Sequence, residues 1–201
     1  MSSWSELLDR AEPEEHFVQL YGRDDQLLTR NLTRYLAEGL RKGDALVVIA
    51  TRELADAVVR NLDEESLGVS RALADGRLVL LDARATLERF LVDGQPDESL
   101  FRSVLGTVLR DTRARALTGR LRAFGEMVGL LWADGRRAEA IRLEAYWNDL
   151  LTGSGCSLFC AYPIDILDAA SDVSGLDSVL GMHTHMYAGP KTMLSSGRAG
   201  G

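Results

Sequence analysis

The chain has 201 residues, 46% of them hydrophobic, and this is typical of one globular domain with a substantial core. Its net charge is −7. This acidic balance argues against a nucleic-acid-binding protein, because such proteins usually carry a basic surface that neutralises phosphates.

The composition also indicates a reducing compartment. Cys156 and Cys160 are the two cysteines, too few for a disulfide framework. No apolar run approaches the length of a membrane span, and the mixed, acidic start of the chain does not have the pattern of a signal peptide. We therefore expect a cytoplasmic protein that contacts neither a membrane nor nucleic acid directly.

Short apolar segments alternate along the chain with longer amphipathic ones. In chain order the patterns predict a strand at 16–21, a helix at 25–42, a strand at 45–50, a helix at 51–61, a strand at 77–82, helices at 83–92 and 97–113, a strand at 119–124, helices at 126–133 and 137–151, a strand at 157–162, and an interrupted helix at 165–180. Such alternation predicts an α/β fold with a mostly parallel central sheet flanked by helices.

The same pattern predicts a single domain with two short flanks. Residues 1–14 form an N-terminal extension, and residues 15–187 form the domain. Residues 188–201 are small, polar and glycine-rich, so we expect a flexible tail.

The first strand–helix junction does not have the features of a phosphate-binding loop. It reads Tyr21-Gly22-Arg23-Asp24-Asp25-Gln26. A phosphate loop needs several glycines, a lysine for the outer phosphates and a Ser or Thr for magnesium. This junction has one glycine, no lysine and two carboxylates, and Asp24 or Asp25 is better explained as a helix N-cap. We expect no ATP hydrolysis here.

Four short motifs carry a resemblance to a known family. They are Ala37-Glu38-Gly39-Leu40-Arg41-Lys42-Gly43-Asp44, Phe124-Gly125-Glu126-Met127-Val128, Leu143-Glu144-Ala145-Tyr146-Trp147-Asn148 and Cys160-Ala161-Tyr162-Pro163. In this order they resemble the MEDS family, the methanogen and methylotroph sensory domains first delimited in a repressor responsive to dichloromethane. The resemblance runs from about Glu15 to His185, and its first part also looks like the opening of a RecA-like ATPase of the circadian-clock type.

This resemblance implies a RecA-like fold without a functional P-loop, and a sensory rather than a catalytic role. In the family the domain is attached to sensor kinases or DNA-binding domains, or stands alone. No kinase or DNA-binding segment follows it in this sequence. We therefore expect either that the chain acts in trans on a partner, a sensor histidine kinase or a transcription regulator, or that the sequence is a fragment.

Several polar and aromatic residues are candidates for a ligand site. Glu126 directly follows the fourth strand, where it is either a helix-dipole partner or part of a strand-end pocket. Glu144, Trp147 and Asn148 share a helix face, which either lines a pocket or places Trp147 in the core. Tyr162 ends the fifth strand and either closes a pocket or packs in the core. If a pocket exists, we expect these residues to line it together at the carboxyl edge of the sheet.

The histidines near the C-terminus add one more candidate. His183 and His185 would lie on one side of a strand, and the resemblance implies that one of them matches a family histidine, so His183 is included in the candidate ligand site. A metal site needs further ligands. Cys156 and Cys160 are not spaced as a metal knuckle, and we expect Cys156 to be exposed and Cys160 to be an inert core thiol. The sequence therefore predicts no metal and no cofactor.

Three functions remain open at this point. The leading hypothesis is a non-catalytic signalling module that binds a small-molecule ligand or a signalling partner. The first alternative is a scaffold that assembles as a homo-oligomer. The second is a divergent nucleotide-binding enzyme, whose turnover would depend on Glu126 or Glu144.

Overall fold

A computed structural model describes residues 3–22, 26–164 and 175–188. Its strands are β1 (His16–Leu20), β2 (Ala45–Ala50), β3 (Leu78–Asp82), β4 (Leu91–Val92), β5 (Gln95–Pro96), β6 (Leu121–Gly125), β7 (Cys156–Tyr162) and β8 (His185–Tyr187). Its helices are α1 (Trp4–Arg10), α2 (Gln26–Lys42), α3 (Arg52–Glu64), α4 (Val69–Ala74), α5 (Ala83–Glu88), α6 (Glu98–Arg113), α7 (Met127–Ala133), α8 (Arg137–Leu151) and α9 (Leu176–Leu180).

Six of the strands form one sheet in the order β3-β2-β6-β7-β1-β8, and every neighbouring pair is parallel. The prediction of a mostly parallel sheet flanked by helices is therefore confirmed. The finer expectation of a RecA-like fold stays a prediction.

Helices cover both faces of the sheet, and this explains the uninterrupted apolar strands. Every residue of β2, β6 and β7 is buried. Side chains alternate between the faces along each strand, so Cys160 and Tyr162 face one core while Phe159 and Ala161 face the other. We call the face covered by α1–α4 the α2 face and the face covered by α5–α9 the α8 face.

Residues 83–92, predicted as one helix, are helical only in their first part. Helix α5 ends at Glu88, and β4 and β5 then form a small antiparallel hairpin. Asp93 and Gly94 occupy its two-residue turn with positive φ of 49° and 77°. An Asp-Gly pair is favoured in such a turn because both residues tolerate positive φ, and this local chemistry ends the helix.

The predicted N-terminal extension packs on the domain. The Arg122 side chain is buried, although it belongs to strand β6. Its Nη1 donates hydrogen bonds to the backbone oxygens of Leu8 in α1 and Tyr35 in α2, and its Nε donates to Asp44 at 3.0 Å. The hydrogen bond from the buried Arg122 guanidinium to Leu8 ties α1 to the sheet.

Some expectations lie outside the described residues. They are the N-cap role of Asp24 or Asp25, the part of the predicted helix at 165–174, and the flexible tail from 189 onward. Within the described part of the chain, the helices are all too short or too polar to cross a lipid bilayer.

Candidate functional site

An open cleft of about 1130 Å³ lies on the α2 face, with walls formed by α2 and α3. Tyr21, Thr51 and Glu126 line it. Each of these residues directly follows a parallel strand, namely β1, β2 and β6. One end of the cleft therefore lies at the carboxyl edge of the sheet, where open α/β sheets usually bind their ligands, and the cleft continues between α2 and α3 to Arg41 and Glu65.

Glu126 is the buried acid of this cleft. Its carboxylate accepts hydrogen bonds from the backbone N–H of Thr51 at 2.5 Å and from Thr51 Oγ1 at 3.3 Å. Burial raises the pKa of Glu126, and the two bonds from Thr51 oppose that rise. The side chain does not cap its own helix α7, but lies at the N-terminus of α3. It thereby joins the ends of β2 and β6.

The outer part of the cleft is polar and carries both signs of charge. Arg34 donates two hydrogen bonds to Asp9, at 2.6 and 2.5 Å, and both side chains are partly exposed. These groups offer donors and acceptors to a small polar molecule.

A second polar group is enclosed on the α8 face. We call it the buried cluster, and its members are His16, Glu144, Cys160, Tyr162 and His183. Glu144 Oε1 accepts a hydrogen bond from the Tyr162 hydroxyl at 2.6 Å and lies 3.4 Å from His183 Nε2. Glu144 Oε2 lies 3.4 Å from His16 Nε2 and 3.8 Å from Cys160 Sγ. All five side chains are buried.

Strand register and helix period bring the cluster together. Val18 pairs with Cys160 across β1 and β7, and His16 lies two residues before Val18 on the same face. The His16 ring therefore reaches Cys160 Sγ, at 3.3 Å from Nε2. Glu144 is on the buried side of α8, which faces these strands. His183 follows α9 and packs against His16, with ring centroids 4.0 Å apart and ring planes tilted by 45°.

Groups behind the two imidazoles fix their orientation. Asn148 Nδ2 donates a hydrogen bond to the backbone oxygen of Met182 at 3.1 Å. Asn148 Oδ1 therefore faces His16 Nδ1 and accepts a hydrogen bond from it at 2.9 Å. His183 Nδ1 donates to the backbone oxygen of Val179 at 2.6 Å. Both Nε2 atoms therefore point toward Glu144.

The buried cluster shifts the pKa of each of its ionisable groups. Burial lowers the pKa of His16 to about 4, so its ring is neutral at neutral pH. Burial also acts to lower the pKa of His183, but the Glu144 carboxylate outweighs it and raises that pKa. Burial acts to raise the pKa of Glu144, and the nearby imidazoles, His183 first, outweigh it and lower that pKa. Burial, together with Glu144, raises the pKa of Cys160.

The expectation that one pocket would contain all the candidate acids is wrong. Glu126 lines the cleft on the α2 face, whereas Glu144 and Tyr162 belong to the α8 face. Trp147 is fully buried, as the core alternative predicted, and packs edge-on against Phe101 with centroids 5.2 Å apart. The twofold alternation along parallel strands separates residues that the chain order had suggested would converge.

Two expectations about histidine and cysteine are also wrong. His183 and His185 do not share a side. His185 Nε2 donates a hydrogen bond to Glu15 Oε1, 2.9 Å away, and the ring stacks on Phe17. Cys156 is buried rather than exposed, because it begins β7 and faces the α8 core.

Sequence reasoning missed His16 and assigned Cys160 to inert packing. A histidine that opens an otherwise apolar strand was the one available signal. The partners of His16 lie more than 100 residues away, at Asn148, Cys160 and His183, so only the fold relates them.

Comparison with protein families finds one match that covers most of the chain. The family model described as MEDS, methanogen/methylotroph, DcmR sensory domain, matches residues 15–184. This range contains the acid of the cleft and every member of the buried cluster. A comparison of the chain with curated proteins finds no match.

Proposed function

The chain belongs to the MEDS family of sensory domains, and we propose that it is a non-catalytic module that binds a small polar molecule in the cleft. The bound state is relayed to a separate protein, a sensor histidine kinase or a transcription regulator acting in trans.

The observation that carries this proposal is the position of Glu126. A buried carboxylate at the carboxyl edge of the sheet, beside residues that follow two other strands, is the usual arrangement of a ligand site in such folds. A carboxylate can accept about four hydrogen bonds. Thr51 supplies two of those in the described structure, so a ligand that donates a hydrogen bond is the chemistry that suits Glu126.

The contacts of Glu126 also favour binding over turnover. General acid–base catalysis needs a titratable group within hydrogen-bond reach of the proton that is transferred. Both oxygens of Glu126 are instead bound to a backbone amide and a threonine hydroxyl, neither of which ionises near neutral pH. This supports a recognition role for the acid.

The same bonds suggest how occupancy would be relayed. Glu126 begins α7 and holds the N-terminus of α3 through Thr51. A ligand that competes for Glu126 would weaken that link, and the β2–α3 and β6–α7 junctions would adjust together. The partner protein would then respond to the changed position of α3.

The experiment is a thermal-shift screen with short-chain alcohols, amines and carboxylates, and with magnesium-ATP. It compares the wild-type protein with Glu126→Gln and Arg34→Ala. Arg102→Ala is the matched control, since Arg102 is as exposed as Arg34 and also pairs with acids, but lies on α6 outside the cleft.

We expect at least one probe to raise the melting temperature of the wild type and of the control, and to act less on the two cleft variants. Equal shifts in all four proteins would exclude the cleft as the site. Turnover of a probe that Glu126→Gln abolishes would favour an enzyme. Stable self-association by light scattering, with no shift from any probe, would favour a scaffold.

A further inference from the structure

Four side chains of the buried cluster have the spacing of a metal centre. One donor atom from each of His16, Glu144, Cys160 and His183 lies within 4.8 Å of the other three. The bonds of a tetrahedral zinc site, about 2.0–2.3 Å long, place neighbouring donor atoms about 3.3–3.6 Å apart. With Glu144 Oε2 as the donor, the distances His16–Cys160, His16–Glu144 and Cys160–Glu144 are 3.3, 3.4 and 3.8 Å and come close to three of the six edges. His183 Nε2 lies 3.4 Å from the other oxygen of the same carboxylate.

Both imidazoles present to the centre the nitrogen that a metal would bind. Both Nδ1 atoms donate hydrogen bonds outward, to Asn148 and to the backbone of Val179, so both Nε2 atoms face the centre. Such hydrogen bonds behind the ligands are the rule at metal-binding histidines. His183 Nε2 is buried and has no hydrogen-bond partner, an arrangement that is costly unless a further group binds it.

Charge balance points to a divalent ion. A buried charge is costly unless it is compensated by a nearby opposite charge. One thiolate and one carboxylate together carry two negative charges, and two neutral imidazoles add none. A divalent cation would therefore make the centre neutral, and its binding would release to solvent the thiol proton of Cys160 and any proton held at His183 Nε2.

We propose that His16, Glu144, Cys160 and His183 bind one divalent transition-metal ion, for which Zn²⁺ is the best fit. Imidazole and thiolate donors favour zinc over magnesium and calcium, which prefer oxygen ligands. Four protein ligands form a closed centre, which is typical of a structural rather than a catalytic site. The ion joins β1, β7, α8 and the segment after α9, and it is independent of ligand binding in the cleft.

The test uses the whole chain, refolded from denaturant in chelator with or without one equivalent of Co²⁺ or Zn²⁺. Refolding is chosen because the donors are enclosed and the metal would enter as the chain folds. We expect Co²⁺ to give a thiolate charge-transfer band and the strong visible bands of four-coordination. Zn²⁺ should displace these bands and raise the melting temperature.

The chain supplies a matched control for each ligand type. Cys160→Ser is compared with Cys156→Ser, since both thiols are buried on the same strand and face. His183→Gln is compared with His185→Gln, whose ring binds Glu15 instead. We expect the first member of each pair to lose the thiolate band or the zinc-dependent stabilisation, and the second member to keep both. Asn148→Ala should weaken zinc binding by about 10–100-fold, because it removes support from His16.

The wild-type protein decides the question even if a ligand variant fails to fold. Folded protein that competes with a chromophoric chelator for one equivalent of Zn²⁺ supports the site. Folded protein that takes up no metal overturns it, and so does a thiolate band that disappears equally in Cys156→Ser and Cys160→Ser.

Discussion

The cleft on the α2 face and the buried cluster on the α8 face each contain one buried acid, and the two acids have opposite pKa shifts. Burial acts to raise the pKa of both Glu126 and Glu144. At Glu126 the neighbours that donate hydrogen bonds are neutral, so the pKa stays raised. At Glu144 two imidazoles and a tyrosine hydroxyl outweigh burial, and the pKa is lowered. The partner, more than the depth of burial, decides the charge of an enclosed acid.

The two sites also differ in how much of the fold depends on them. The cleft is open to solvent and its outer charges are partly exposed. The buried cluster is surrounded by the α8 core, so a change there disturbs packing as well as polar contacts. The following substitutions test this difference, from the largest expected effect to the smallest.

The largest loss of stability is expected from Trp147→Ala. The ring is fully buried beside the cluster, and its removal should lower the free energy of unfolding by about 3–5 kcal/mol through lost burial and a new cavity. Leu54→Ala in the cleft wall, where the side chain is half-buried, should cost clearly less. Denaturant unfolding measures both, and a loss below about 1 kcal/mol for Trp147→Ala would contradict its core position.

Tyr162→Phe tests the hydrogen bond to the ionised acid of the cluster. It removes the donor to Glu144, and we expect a loss of about 1.5–3 kcal/mol because the acceptor is charged and buried. Tyr146→Phe is the control, since its hydroxyl donates to the backbone oxygen of Pro96, a neutral acceptor, and should cost about 0.5–1.5 kcal/mol. Equal losses in urea unfolding would show that Glu144 is not held as a carboxylate.

Glu126→Gln is expected to change how stability depends on pH. The folded state raises the pKa of Glu126, so it binds the proton more tightly than the unfolded chain does. The stability contributed by this group is therefore complete at low pH and is lost as pH rises through the raised pKa. The glutamine variant has no such loss, and its melting temperature relative to the wild type should rise as the pH increases from about 4 through the raised pKa of Glu126.

Glu139→Gln provides the opposite sign for comparison. Hydrogen bonds from its own backbone amide and from Gln95 and Arg136 lower the pKa of Glu139. Its contribution is present above the unfolded pKa and is lost as pH falls, so this variant should be weakest relative to the wild type at the higher pH. If the melting temperatures of both variants, relative to the wild type, change in the same direction with pH, the pKa of Glu126 is not raised.

The smallest effect on stability is expected from Arg34→Ala in the outer cleft. The ion pair with Asp9 is bidentate but solvent-exposed, and its loss should cost at most about 1 kcal/mol. Arg102→Ala should lower the free energy of unfolding by a similar amount, because its ion pair with Glu98 is also exposed. A loss above about 2 kcal/mol, measured by thermal unfolding, would mean that Asp9 and Arg34 hold α1 against α2 more firmly than the exposed pair suggests.

The sequence determined the elements and their class. Continuous apolar segments such as 45–50 and 157–162 predicted buried parallel strands, and four motifs in order identified the family that the match over residues 15–184 establishes. These features are local, because they depend on residues within one helix or one strand, and local pattern is what a sequence displays directly.

The tertiary structure alone decided which functional residues meet. Glu126 and Glu144 both belong to recognisable motifs, yet strand alternation and the placement of helices put them on opposite faces of the sheet. The chain widely separates His16, Cys160 and His183. They meet because β1 lies beside β7 and the segment after α9 returns to these two strands. Register and crossover side are set by packing between distant segments, so no short stretch of sequence contains them.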